Sequence, residues 1–125
     1  MAVESYTGKR TIQSSTGRVN FDRGICEVLT NNGKLLKPFV KTENGMNFEW
    51  GKHGALSWNL AKSIMRDYFQ VWSLDEELPE KLVRRFYEDV VVSLDFMKWE
   101  IDETELKAYF TRVSNEEKIL NENVG

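Results

Sequence analysis

Phe48-Glu49-Trp50-Gly51-Lys52-His53-Gly54-Ala55-Leu56-Ser57-Trp58 is the stretch in which the sequence changes from a strand-like to a helix-like pattern. Before it, apolar and polar residues alternate, as they do in a half-buried strand. After it, apolar residues recur at the spacing of one helix face. Two glycines inside the stretch allow a sharp turn. The stretch therefore predicts a strand, a turn and a helix, and it separates a β-rich half from a helical half.

The first half predicts several short strands. These are residues 6–13, 18–21, 26–30, 34–41 and 46–50. Asn31-Asn32-Gly33 and Asn44-Gly45 favour tight turns, because Asn and Gly tolerate positive φ. Pro38 lacks an N–H, so the strand that contains it is predicted to lie at an edge or to end there. In the last strand, alternation predicts one face made of Met46, Phe48 and Trp50.

The second half predicts three helices and one more strand. The first helix runs over residues 58–72, with Ser57 as its N-cap. Pro79 suits the first turn of the second helix. The third helix follows Asp102, which resembles the first residue of a capping box with Glu105. A short alternating strand is predicted over residues 96–101.

Together these elements predict one α+β domain that spans residues 1–125, with an N-terminal antiparallel sheet packed against about three helices. The strand near residues 96–101 is an addition to that sheet-and-helix plan. Residues 1–4 and 115–125 are expected to fray, because the chain ends are polar.

Composition restricts the classes of function. The net charge of −3 disfavours nucleic acid as a partner. The single cysteine, Cys26, excludes an internal disulfide and a cysteine-based metal site, and it suits a reducing compartment. No apolar run approaches the roughly 20 residues that span a bilayer, and no secretory signal opens the sequence. We expect a cytoplasmic protein with no membrane contact, no metal and no cofactor.

Several of these segments resemble a family of small bacterial and phage domains of unknown function. The resemblance rests on Tyr6-Thr7-Gly8, Phe48-Glu49-Trp50-Gly51 with Gly54, Leu60-Ala61 with Ile64, Phe86-Tyr87, Trp99-Glu100-Ile101, and the segment from Leu106 to Tyr109. The family has a Phe-x-Trp-Gly strand, a glycine-containing turn and a helix rich in Leu and Ala. Here Lys52 replaces the usual aromatic residue, and Ala55-Leu56-Ser57 replaces a Ser-Gly-Pro sequence. The resemblance implies a bacterium or a phage-infected bacterial cell as the setting, and it implies no activity.

The turn itself has two interpretations. As a ligand site, a helix N-terminus with nearby glycines could receive an anion or nucleotide. The candidate binding residues are Trp50, Gly51, Lys52, His53, Gly54, Ser57 and Trp58. As a packing corner, the glycines permit the turn, while Trp50 and Trp58 both face the core. The packing interpretation is preferred, since neither common phosphate-binding glycine motif is present.

No catalytic constellation is visible, so the sequence predicts no enzyme and no catalytic residue. His53 has no second histidine with which to share a metal. A nucleophilic pair of Cys26 and His53 is conceivable, but a buried, inert thiol is favoured.

The sequence favours a non-enzymatic interaction protein, such as a phage or mobile-element accessory factor that binds a host protein. The alternative is a module that binds a small ligand, a nucleotide or a nucleic acid through the turn from Gly51 to Ser57. Homo-oligomers are expected if an apolar face or a strand edge stays uncovered.

Overall fold

The computed structural model describes residues 5–11, 25–30, 33–42, 47–70 and 80–124, without the side chains of residues 25 and 117–124. The strands are β1 (Ser5–Thr11), β2 (Ile25–Thr30) and β3 (Lys98–Asp102). The helices are α1 (Ala55–Phe69), α2 (Glu80–Asp89) and α3 (Glu103–Val124), with a 3-10 helix at Val91–Ser93. The α+β class, the antiparallel sheet, the three helices and the late strand are all as predicted.

The three strands form one antiparallel sheet with the order β2-β1-β3. The strand from the second half of the chain therefore pairs directly with the first strand. Gly8, in the middle of β1, lies opposite Val28 on one side and Trp99 on the other. The alternation of β1 turns Tyr6, Gly8 and Arg10 toward the helices and leaves Lys9 exposed.

Gly8 is required by a close approach of the neighbouring strand. A Cβ built on Gly8 would lie 2.2 Å from the indole of Trp99. The ring of Trp99 therefore lies across the bare backbone of β1. This contact explains the glycine in the Tyr-x-Gly element, because any larger residue would displace the indole.

The helices and the inner face of the sheet share one hydrophobic cluster, which extends from Tyr6 to Val113. The Tyr6 hydroxyl donates a 2.5 Å hydrogen bond to Asp67, which links β1 to α1. Between α2 and α3, Arg85 pairs with Glu116 and Tyr109 donates to Asp89. Among the described helices, none is long and apolar enough to cross a bilayer.

The strand predicted over residues 34–41 is wrong. The segment forms only an isolated bridge between Leu29 and Leu35 and then follows α1 as irregular chain. Pro38 lacks a ladder donor. The next two amides donate to side chains of α1, Phe39 to Ser63 Oγ and Val40 to Asn59 Oδ1, both at 2.8 Å. At Phe39 and Val40, side chains of a helix therefore take the place of a neighbouring strand as the hydrogen-bond partners.

The strand predicted over residues 46–50 is also wrong in its described part. Residues 47–50 have no ladder partner among the described strands, and Phe48, Glu49 and Trp50 are all buried, so the predicted alternation fails. A carboxylate is buried there because it has a buried arginine as its partner, which a local pattern does not reveal.

The first helix begins and ends earlier than predicted. Gly54 precedes it, and no side chain among the described residues caps it, so Ser57 lies inside the first turn instead of at the N-cap. Gln70 has a left-handed φ of 55° and ends the helix. The predicted cap of the third helix is confirmed, since Asp102 accepts from the Glu105 N–H at 2.8 Å.

The helical backbone of α3 continues through residue 124, beyond the point where fraying is expected; that fraying stays a prediction. Several predicted features lie outside the described residues. These are the segment 12–13, the strand 18–21, Asn31-Asn32, Asn44-Gly45, Met46, the end of the first helix at 71–72, and Pro79.

Candidate functional site

The turn between Trp50 and α1 begins with a fully buried tryptophan. The indole N–H of Trp50 donates to the carbonyl of Phe96 at 2.9 Å. Its ring meets the ring of Trp99 edge-on, with centroids 5.5 Å apart. Trp50 therefore fills the interior, as the packing interpretation predicts, and it holds the segment that leads into β3.

Gly51 has a backbone role of its own. Its φ of +76° lies in the left-handed region, which is costly for other residues. Its N–H donates to the carbonyl of Val91 at 3.0 Å. A Cβ at this position would lie 3.0 Å from the carbonyl oxygen of Leu94. The glycine thus permits the turn to pack against the chain after α2.

Glu49 and Arg10 form an ion pair inside the protein, which no local sequence pattern predicts. Both side chains are almost wholly buried. The guanidinium also donates through Nε to the Phe96 carbonyl at 2.8 Å, and the Phe96 ring covers it at 3.8 Å. The backbone N–H of Trp50 donates to Glu49 Oε1 at 3.0 Å. Both charges are therefore hydrogen-bonded as well as paired.

The titration of Glu49 reflects this environment. Burial alone would raise the pKa of its carboxyl group. Hydrogen bonds from Arg10 and the Trp50 N–H, with the charges of Arg10 and Lys52, outweigh burial and hold the pKa below its ordinary value. A carboxylate kept ionised and fully engaged is suited to holding β1 against the turn, not to taking up a proton.

The outer part of the turn is exposed. Lys52 lies on the surface, with its ammonium 3.9 Å from Glu49 Oε2. The His53 ring meets the Tyr87 ring edge-on at 5.7 Å, and the Gly54 N–H donates to the Tyr87 hydroxyl at 2.8 Å. One glycine amide of the predicted anion site is thus already bound to α2.

Ser57 and Trp58 occupy different environments in the first turn of α1. Ser57 is fully buried, and its Oγ has no hydrogen-bond partner among the described residues. Trp58 is half-buried and packs against the core cluster, so it faces the core as predicted but is not enclosed by it. Its ring packs edge-on against Tyr87, with centroids 5.3 Å apart, and stays accessible on one side.

Trp58 belongs to a row of cations and aromatic rings. The Arg84 guanidinium lies 5.6 Å from the Trp58 ring, and the Lys62 ammonium lies 5.7 Å from it. Lys62 also reaches to 4.6 Å from the ring of Phe39, and Arg66 lies 5.1 Å from the same ring. We call this row the basic–aromatic surface. It comprises Phe39, Trp58, Lys62, Arg66, Arg84 and Tyr87.

The charges of this surface are only partly neutralised. Arg84 pairs with Glu80 at 3.0 Å across one turn of α2. Arg66 donates to the carbonyl of Pro38 at 3.1 Å. Within the part of the chain that the structure describes, no carboxylate forms an ion pair with Lys62 or Arg66. The surface is therefore positive although the chain as a whole is negative.

The remaining candidates do not join this surface. Cys26 contacts Glu49 Oε1 at 3.9 Å and borders a cavity of about 330 Å³, which is lined mainly by apolar side chains beside β2. That cavity contains none of the predicted binding residues. Among the described residues, no group of three His, Cys, Asp or Glu side chains could hold a metal ion.

Comparison with known proteins identifies a family but no characterised relative. The sequence model of a family of unknown function, DUF6166, matches residues 6–112, so the chain belongs to that family. No curated protein and no solved structure matches the chain. The match agrees with the resemblance drawn from Tyr6-Thr7-Gly8 and the Phe-x-Trp-Gly segment.

Proposed function

We propose that this member of the DUF6166 family is a non-enzymatic interaction protein, and that it binds an acidic segment of another protein through the basic–aromatic surface. The observation that carries the proposal is the row of cations, from Arg66 to Arg84, that lie over the half-buried rings of Phe39 and Trp58. A phage or mobile-element factor acting on a host protein remains the setting that we propose.

Charge supports an acidic partner. Lys62 and Arg66 are one turn apart on α1, and Lys37 and Lys41 are exposed on the adjoining segment. A local positive field on a negatively charged chain attracts acidic groups and orients the encounter. Because such steering is screened by salt, binding should weaken as the ionic strength rises.

The aromatic side chains support a protein partner. Trp, Tyr and Arg are the residues that most often dominate protein interfaces. Here Trp58 and Tyr87 are held edge-on to each other, and Arg84 lies against Trp58. Side chains that are already ordered lose less conformational freedom on binding. Val40 adds apolar area beside Phe39, since it is 52% exposed.

The neighbours of the reactive side chains favour a binding role over catalysis. His53 packs against the ring of Tyr87, whereas Cys26 contacts the Glu49 carboxylate. Glu49 is itself engaged by Arg10. The nucleophile and the base that the sequence offered therefore have separate partners.

The test is affinity capture from a lysate of the source organism with two matched double variants. Lys62→Glu/Arg66→Glu reverses the surface charge on α1. Lys107→Glu/Arg112→Glu makes the same change in net charge on an exposed part of α3. We expect a specific protein to be retained by the wild type and the α3 variant and lost by the α1 variant.

The captured protein is then titrated directly, in purified form, at several salt concentrations. Reversal of the two charges should weaken binding by at least tenfold, because each close interfacial charge pair contributes on the order of 1 kcal/mol or more. Equal capture by both double variants, or no specific protein with the wild type, would refute the proposal.

A nucleotide or small anion is the second candidate. It is favoured by the absence of a side-chain cap at α1, which leaves first-turn amides without a side-chain acceptor, and by the nearby ring of Trp58. A thermal-shift panel of nucleotides and inorganic phosphate tests it, since a ligand of the native state raises the melting temperature. No shift at millimolar concentration would remove this candidate.

A further inference from the structure

Strand β3 lies at one edge of the sheet, and no described strand pairs with its outer side. The Arg10 N–H donates to the Met97 carbonyl at 2.8 Å. In an antiparallel ladder, backbone groups point alternately toward and away from the neighbouring strand. Trp99 and Ile101 therefore direct their N–H and C=O groups toward β1, as does the carbonyl of Met97, whereas the Met97 N–H donates to Asp95 Oδ1 at 3.0 Å. Lys98 and Glu100 direct theirs toward the outer side of the edge, where a further strand can reach them. The Lys98 N–H also donates to Asp95 Oδ1 at 3.3 Å.

The charges on this edge are poorly matched within one chain. Lys98 is exposed and lies directly opposite Lys9 of β1. Like charges in opposite positions of a sheet repel each other. Two residues further along β3, the exposed Glu100 lies opposite Thr7, which carries no charge. The edge therefore presents a lysine and a glutamate whose cross-strand neighbours on β1 do not neutralise them.

We propose that β3 pairs antiparallel with β3 of a second copy of this chain, about a two-fold axis that passes beside Trp99. In this register Lys98 lies opposite the partner's Glu100, and Glu100 lies opposite the partner's Lys98. All four residues direct their backbone groups outward, so each opposed pair exchanges two backbone hydrogen bonds. In each pair the Lys98 N–H replaces its 3.3 Å bond to Asp95 Oδ1 with a bond to the carbonyl of the partner's Glu100. The result is a continuous six-stranded sheet in which both charges gain an opposite neighbour.

The side chains near the axis are compatible with this arrangement. The Trp99 indole lies over Gly8, on the side of β1, and is directed away from the outer edge. Met97 is 44% exposed, and it comes opposite the partner's Ile101. Phe96, which is 51% exposed, lies beside the same junction. Pairing thus covers apolar area that one chain leaves in water.

Sedimentation equilibrium over about a hundredfold range of protein concentration measures the dimer, because self-association follows mass action. Lys98→Glu places two glutamates opposite each other at both symmetric positions. We expect the dimer dissociation constant to rise by roughly tenfold or more, since cross-strand charge pairs change from attractive to repulsive. The fold should persist, because the new glutamate faces Lys9 within the chain.

The swapped variant Lys98→Glu/Glu100→Lys restores opposite charges in the same register and should recover the dimer. Lys107→Glu, on an exposed position of α3, is the control and should leave the dimer unchanged. Far-ultraviolet circular dichroism verifies that each variant is folded. No residue of this edge belongs to the basic–aromatic surface, so the outcome is independent of the proposed function.

Three results would overturn the proposal. The first is a wild-type chain that stays monomeric throughout, which would leave the edge to a strand of a different protein. The second is a dimer that Lys98→Glu does not weaken, which would place the interface elsewhere. The third is failure of the swapped variant to recover the dimer while it remains folded, which would contradict the register.

Discussion

Arg10→Met removes the buried cation and leaves the Glu49 carboxylate without its main partner. Both side chains are almost wholly inaccessible, so water does not replace the lost guanidinium. Breaking a buried ion pair by removing one member typically destabilises a protein by about 3–5 kcal/mol. Single domains are stable by about 5–15 kcal/mol, so the variant should lose a large share of its stability.

Urea unfolding, followed by tryptophan fluorescence, measures this loss. With a slope of about 1–3 kcal/mol per molar urea, the midpoint should fall by roughly 2 M. The double variant Arg10→Met/Glu49→Leu removes both charges and keeps apolar volume in their place. We expect it to recover part of the loss, with about 1–3 kcal/mol remaining for the backbone N–H of Trp50, which loses its acceptor.

The pH dependence gives an independent check. In the wild type the folded-state pKa of Glu49 is lowered, so its stabilisation is present above the ordinary value of 4.5 and is lost as the pH falls through the folded-state pKa. In Arg10→Met, the main partner of Glu49 is gone, so burial prevails and raises the pKa of the Glu49 carboxyl group. Protonation of Glu49 then favours the folded state of the variant. The difference in stability between the two proteins should therefore shrink from pH 7 toward about pH 4.

If Arg10→Met lowered the free energy of unfolding by less than about 1 kcal/mol, the buried pair would contribute no more than an exposed ion pair does, and the prediction would be refuted. It would equally be refuted if the double variant were less stable than Arg10→Met. In that case the destabilisation would come from lost packing of the long arginine side chain, and the charge left behind would contribute little.

Two further predictions concern packing and hydrogen bonding. Gly8→Ala should lower the free energy of unfolding by about 1–3 kcal/mol or more, measured in urea, because its Cβ would lie 2.2 Å from the Trp99 indole; an unchanged midpoint would contradict the close approach. Ser57→Ala should be neutral or slightly stabilising, since its buried Oγ has no described partner, whereas Ser63→Ala should cost about 1–3 kcal/mol. The same calorimetric or urea experiment compares the two serine variants, and equal losses would contradict the assigned hydrogen bonds.

The elements that were predicted correctly are those whose signal is local. The capping residue Asp102, the alternation around Trp99 and the helical spacing around Phe86 each lie within one element. Helix ends were less accurate, because Gly54 precedes α1 and Gln70 ends it through a left-handed conformation. Neither glycine nor glutamine occurs only at helix ends, so these residues did not locate the two ends of α1 in advance.

The features that were missed depend on contacts between distant segments. The chain over 34–41 looks like a strand, but only its first part bonds to β2, and Ser63 and Asn59 of α1 accept from the amides of Phe39 and Val40. The burial of Glu49 depends on Arg10, which lies 39 positions away. The basic–aromatic surface combines residues from three segments, of which α2 contributes only Arg84 and Tyr87. A single sequence contains no signal that joins such positions.

The residues that carry the family resemblance have structural roles in this chain. In the Phe-x-Trp-Gly segment, Glu49 holds Arg10, Trp50 binds the carbonyl before β3, and Gly51 permits the packing against Val91. These roles connect the turn to the sheet and to the chain after α2, and they engage the polar groups of this segment. Lys52, where this chain departs from the family pattern, is by contrast exposed. Specificity in this chain should therefore be sought on its outer surfaces, where the residues are free to differ without loss of the fold.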